Sequence, residues 1–145
     1  MKALAILPML LATAQATPPA TIDGLPFAVL PKQELPARGC AAFLWTTNGT
    51  RALVAMATAD PAQLRLSIGG TITDLPRDQQ QGLGGFGFAD TAEYKVGDVT
   101  ATLDMKITAR GDLKDGASVP EGTLRLDRTG QDSVVLPVVG LIGCA

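Results

Sequence analysis

From Val99 to Thr108 the chain alternates without a break. Val99, Ala101, Leu103, Met105 and Ile107 are apolar, while Thr100, Thr102, Asp104, Lys106 and Thr108 are polar or charged. A helix would scatter these residues around its axis, whereas a strand sends successive side chains to opposite faces, so the stretch reads as a strand with one dry face and one wet face. Shorter runs of the same kind lie around it. Gln63 to Ile68 and Thr71 to Leu75 flank Gly69-Gly70, a two-residue hairpin signal. Ala41 to Thr47 and Thr50 to Thr58 flank Asn48-Gly49, which suits a type I′ turn because both central residues need positive φ. Thr123 to Asp127 and Ser133 to Ile142 flank a turn containing Thr129-Gly130. With a weaker strand around Ala92 to Val96, the pattern predicts about eight strands and no capped helix. The expected fold class is all-β, a single small antiparallel barrel or sandwich.

The two-residue Asn48-Gly49 turn sets a register. Trp45 faces Ala52, Phe43 faces Val54 and Ala41 faces Met56, with Leu44 meeting Leu53 on the other side. Both faces are apolar, so this hairpin is expected to be central and covered. Pro137 lacks an N–H and marks a bulge or an edge in the last strand.

Two cysteines, Cys40 and Cys144, stand near the two ends of this β-rich region. The N-terminus gives them a context. Met1-Lys2, the apolar run Ala3 to Ala12, and Ala14-Gln15-Ala16 supply the charge, apolar stretch and small-x-small site of a secretory signal peptide. Residues 1–16 are expected to be cleaved after Ala16, leaving a periplasmic or secreted protein. An even cysteine count in such a chain reads as a bridge, so a Cys40–Cys144 disulfide is expected to close the domain. No later segment has the length of a membrane-spanning helix.

Residues 17–36 carry Pro18, Pro19, Pro26, Pro31 and Pro36, a density that disfavours helix interiors and central strands. They read as an extended lead-in, part of it pinned by Phe27, Val29 and Leu30 as an edge segment, ahead of a β domain at 37–145. After cleavage the charges are 11 basic and 14 acidic, with no basic cluster, which argues against a nucleic-acid partner.

The chain contains no histidine. Ser-His-Asp and Cys-His hydrolases need an imidazole to move the proton, and histidine-containing zinc sites are excluded by the same count. Pairing the cysteines removes a thiolate cluster as a replacement. No catalytic, cofactor or metal site is expected. Gly82-Leu83-Gly84-Gly85-Phe86-Gly87 spells the G-x-G-x-x-G string of nucleotide-binding loops, but no helix follows to receive a pyrophosphate. Gly82, Leu83, Gly84, Gly85, Phe86, Gly87 and Phe88 are instead a candidate interaction loop. Phe86 and Phe88 either face a partner or insert into the core, the commoner fate of large apolar side chains. Phe43 and Trp45 share a strand face and Tyr94 joins them if the loop folds back. They either line a cavity or, as expected of a small barrel, fill its core. Arg110-Gly111-Asp112 matches an adhesion tripeptide and Asn48-Gly49-Thr50 a glycosylation sequon, yet both are accounted for as turns. Asp112 and Asp115 read as solvated turn acids, and Asp104 as an exposed charge.

These features favour a non-enzymatic, exported binding or envelope-associated module, contacting an envelope protein through loops on a rigid β scaffold. An early Cys, short alternating hairpins and a Cys just after the final hairpin give Cys40 to Cys144 a layout that resembles small periplasmic lysozyme-inhibitor barrels. The resemblance implies inhibition of an envelope or foreign hydrolase as an alternative. Those barrels carry a Ser-Gly-x-x-Tyr loop, whereas Gly87 to Tyr94 here reads Gly-Phe-Ala-Asp-Thr-Ala-Glu-Tyr. A further alternative is a small-ligand-binding barrel, which needs an interior cavity of about 300 Å³ or more.

Overall fold

The structure, a computed structural model, describes residues 21–113 and 115–145. Residues 1–20, including the expected signal peptide and the start of the lead-in, lie outside the described residues. The strands are β1 (Phe27–Ala28), β2 (Cys40–Thr46), β3 (Leu53–Ala59), β4 (Ala62–Ile68), β5 (Thr71–Gln81), β6 (Thr91–Val96), β7 (Val99–Ala109), β8 (Gly116–Arg128) and β9 (Val134–Cys144). No described residue is helical. From β2 onward each strand pairs antiparallel with the next, and β9 returns to pair with β2. The result is a closed eight-stranded up-and-down barrel with β1 as an extra strand. Short turns join antiparallel neighbours directly, and closing the sheet on itself removes the exposed edges that an open sheet of this size would leave. The barrel, rather than the sandwich, is therefore the form adopted.

The lumen is filled by the inward positions of successive strands. Ala42 and Leu44 of β2, Leu64 and Leu66 of β4, Tyr94 of β6, Leu103 of β7, Leu124 and Leu126 of β8 and Val138 of β9 all belong to one buried cluster. Each fully buried leucine contributes roughly 1.5–3 kcal/mol relative to exposure. The alternation in β7 falls as expected, with Ala101, Leu103 and Met105 buried and Asp104 and Lys106 exposed. The Gly69-Gly70 turn is also as expected: Ile68 pairs with Thr71, and the glycines have φ of 58° and 85°.

The first hairpin differs from its sequence reading. Phe43 pairs with Met56 and Leu44 with Ala55, after which the register shifts so that Trp45 meets Leu53. The cause is Thr46. Its hydroxyl donates to the Thr50 carbonyl at 2.9 Å and accepts from the Ala52 N–H at 3.0 Å, closing a longer loop than Asn48-Gly49 alone would make. Val54 becomes the extra residue of a bulge, and Val54 and Ala55 are both fully buried.

Pro137 pairs with Thr123 of β8 and lies one residue past Val138, where the pairing with β2 stops. β9 has a single neighbour there, so the missing N–H interrupts no second ladder. As a whole, however, β9 is the strand that closes the barrel and not an edge.

The Pro-rich lead-in is built into the barrel. β3 and β4 pair only as far as Ala55↔Leu66. Beyond that point β1 takes the place beside β4, with Phe27↔Ile68 and Ala28↔Ser67, while the Leu30 N–H donates to the Leu53 carbonyl at 2.8 Å. Phe27, fully buried, enters the barrel core through this split. Leu30 then packs on Ala41 and Met56 outside the wall, and Arg65 donates to Gln33 at 2.9 Å. Prolines flank the pairing residues without occupying them, so the β domain begins well before position 37.

Candidate functional site

Most of the outer wall is polar. Arg65 of β4 and Asp74 of β5 form a two-point ion pair at 2.7 and 3.0 Å, and Arg125 does the same with Asp127 within β8 at 2.9 and 3.2 Å. Hydrogen bonds from Arg125 and Ser133 hold the Asp127 carboxyl below its ordinary range. Asp104 of β7 bridges its neighbours, accepting from Thr91 at 2.5 Å and Thr123 at 3.1 Å.

One face departs from this pattern. On the outside of β2 and β9, Phe43 stands opposite Leu141 and Trp45 opposite Val139. A groove of about 500 Å³ runs over Trp45, Val139, Leu141 and Pro120, with Arg51 and Arg110 also in its lining. Three local features shape it. The bulge between Val119 and Gly122 takes Pro120 and Glu121 out of the β8–β9 ladder. Gly140 lets β2 and β9 approach closely, since a Cβ there would overlap the Phe43 carbonyl oxygen. The longer β2–β3 loop carries Arg51 to the groove. Arg110 is fixed by Asp112 through two hydrogen bonds of 3.0 and 2.7 Å, a charge-assisted pair that holds the Asp112 carboxyl below its ordinary range. Arg51 is exposed and has no ion pair among the described residues.

The sequence-predicted residues are distributed differently. Cys40 and Cys144 are joined. In the Gly82 to Phe88 loop, Phe86 and Gly87 take positive φ of 57° and 84°, and a small turn is closed by Gly84 N–H to Phe88 O and Phe88 N–H to Gly85 O, each 2.9 Å. Phe88 is 5% exposed and belongs to the core, Phe86 packs partly against it, and Leu83 is 97% exposed. At Gly84 and Gly87 the loop presses on the barrel: a Cβ on Gly87 would lie 2.8 Å from that of Ala59, and one on Gly84 3.0 Å from the Ile107 side chain. The loop is thus a plug whose exposed apolar side chain is Leu83.

The three aromatic residues grouped in the sequence separate. Tyr94 points into the lumen with 1% exposure, and burial pushes its phenol up to about 12 against an opposing effect of Arg77. Phe43 and Trp45 point outward and do not fill the core, because the barrel assigns alternate residues of β2, Ala42 and Leu44, to its interior. Val139, Leu141, Pro120 and Arg110 were missed as site residues. For Val139 and Leu141 the trace in the sequence was the largely apolar character of β9, which a strand with one wet face does not require, while Arg110 stood out only as part of a turn tripeptide.

Among the described residues there is no group of His, Cys, Asp or Glu suited to a metal ion, and no helix long and apolar enough to cross a membrane. No protein-family model, no curated protein and no solved structure matches this chain.

Proposed function

We propose that this chain is an exported, non-enzymatic binding module that makes its contacts through the groove on the outside of β2, β9 and β8. The observation that carries the reading is the adjacency of the outward apolar residues Trp45, Val139, Leu141 and Phe43 across the β2–β9 seam, on a barrel whose outer wall elsewhere carries the Arg65–Asp74 and Arg125–Asp127 pairs. A contiguous apolar area of this kind is the usual mark of an interaction site. The lumen supports the same choice, since Leu44, Leu66, Leu103, Leu126 and Tyr94 occupy it and leave the outer wall as the contact surface. An apolar lumen inside a polar wall is also the reverse of the arrangement a membrane-spanning barrel needs.

The disulfide fits an oxidising compartment outside the cytoplasm. Export by cleavage after Ala16, to the periplasm or beyond, belongs to this reading. The Gly82 to Phe88 loop offers a second contact through Leu83.

The test is retention of envelope components, proteins and lipids alike, on the immobilised mature protein and on Trp45→Ala and Leu83→Ser variants. Loss of a retained component with Trp45→Ala supports the groove. Loss with Leu83→Ser alone moves the contact to the loop, and no retention by the unaltered protein overturns the reading. Deleting the loop is unsuitable, because Phe88 is part of the core.

A further inference from the structure

The groove's charge is opposite to that of the chain. The full sequence carries 14 acidic and 12 basic residues, yet the groove is lined by Arg51 and Arg110 and by no acid. The two arginines are not equivalent. Asp112 takes two hydrogen bonds from Arg110 and offsets its charge, whereas Arg51 has no ion-pair partner among the described residues. One uncompensated cation therefore stands beside an apolar surface made by Trp45, Val139, Leu141 and Pro120. The volume, about 500 Å³, is that of a small-molecule site rather than of an extended protein interface.

We propose that the groove binds a single-chain anionic amphiphile, with its apolar body over Trp45 and Leu141 and its negative head at Arg51. The proposal rests on the groove being the binding surface and adds the chemistry of the occupant. A guanidinium suits this role because it stays charged and offers several donors to a carboxylate, sulfonate or phosphate monoester. Arg110, held by Asp112, presents its remaining N–H groups from a fixed position and adds polarity without a second full charge. A zwitterionic or cationic head would find no acid in the lining to receive it.

The protein contains one tryptophan, and it is Trp45, so its emission reports on this groove alone. The experiment titrates the mature protein with dodecanoate, with the neutral dodecyl maltoside and with dodecyltrimethylammonium, all below their micellar concentrations. Dodecanoate is expected to shift Trp45 emission saturably with one site per chain, the neutral amphiphile to bind more weakly and the cation not to bind. Arg51→Gln is expected to weaken dodecanoate about threefold to tenfold, as loss of a partly exposed charged hydrogen bond should, and to leave the neutral amphiphile unchanged. Leu141→Asp should abolish both, with an unchanged thermal midpoint showing that the barrel is intact.

Equal response to all three head groups, or no effect of Arg51→Gln, overturns the proposal. A response only to anionic phospholipid vesicles, with none to monomeric dodecanoate, overturns it in favour of a membrane surface. If dodecanoate has no effect while Trp45→Ala still loses an envelope component, the occupant is wrong and the binding surface stands. If both experiments are negative, the binding surface falls as well.

Discussion

Cys40 and Cys144 stand directly opposite one another in the β2–β9 ladder, with Cα atoms 4.0 Å apart across a sequence separation of 104. The bond lies on the seam where the last strand meets the first strand of the barrel, the pairing with the longest loop to close. A non-local ladder of this kind gains most from a crosslink, because the link removes closure entropy from the unfolded chain.

Replacing both cysteines by alanine is expected to leave the barrel folded while lowering its stability by roughly 3–5 kcal/mol in the chain-entropy account. Urea unfolding monitored by circular dichroism checks this. The midpoint should fall and the m-value rise, since the uncrosslinked chain exposes more surface when unfolded.

Gly140 and Gly111 should respond oppositely to alanine. A Cβ at Gly140 overlaps the Phe43 carbonyl oxygen and crowds Leu44, whereas Gly111 has open space around it. Gly140→Ala is expected to cost about 3 kcal/mol or more, since it meets backbone that cannot give way, and Gly111→Ala to stay within about 0.5 kcal/mol. Thermal melts of the two variants compare them directly.

Within the Gly82 to Phe88 loop the plug and the tip are separable. Phe88→Ala removes a core ring and should cost about 3–5 kcal/mol. Leu83→Ser alters a side chain that is 97% exposed and should change stability by less than about 0.5 kcal/mol. Chemical denaturation of both distinguishes a structural plug from a free loop.

A chain beginning at position 37 should be much less stable than one beginning at 21. It lacks β1 and Phe27, whose ring fills the split between β3 and β4. Loss of a buried phenylalanine alone is worth roughly 3–5 kcal/mol, a large part of the net stability of a small domain. Equilibrium unfolding of the two chains, with amide exchange at Gly69, whose N–H donates to the Pro26 carbonyl, as the local readout, checks it.

Tyr94 is the one tyrosine in the chain. Burial raises its phenol to about 12 in the folded protein, with Arg77 opposing the shift, while the unfolded value stays near 10.0. Between these values the unfolded chain has released a proton that the native chain keeps, so stability falls as pH rises. The expected slope is about 1.4 kcal/mol per pH unit, beginning near the unfolded value and levelling off above the folded one. Phenolate absorbance should titrate near 12 in native protein and about two units lower in denaturant.

The sequence by itself determined the period of the strands and the pairing of the two cysteines. Strict alternation in β7 and the Gly69-Gly70 turn are local signals, decided by which side chains can face water and which residues accept positive φ. The bridge was legible from the even cysteine count, which needs no knowledge of the strand order. The first hairpin misled because Asn48-Gly49 carries a turn signal of its own, and the hydroxyl of Thr46, bonding across the loop to Thr50 and Ala52, overrides it.

Only the tertiary structure decided which side of each strand is the inside of a barrel. Phe43 and Trp45 look like core residues until closure assigns Ala42 and Leu44 to the lumen. The lead-in reads as an edge segment pinned by Phe27, but only the split between β3 and β4 gives that ring its place in the core. The groove depends on β2 meeting β8 and β9, which lie far from it in the chain, so no local pattern could bring Trp45 and Arg110 to one groove. Local alternation specifies two faces, and long-range pairing alone chooses between them.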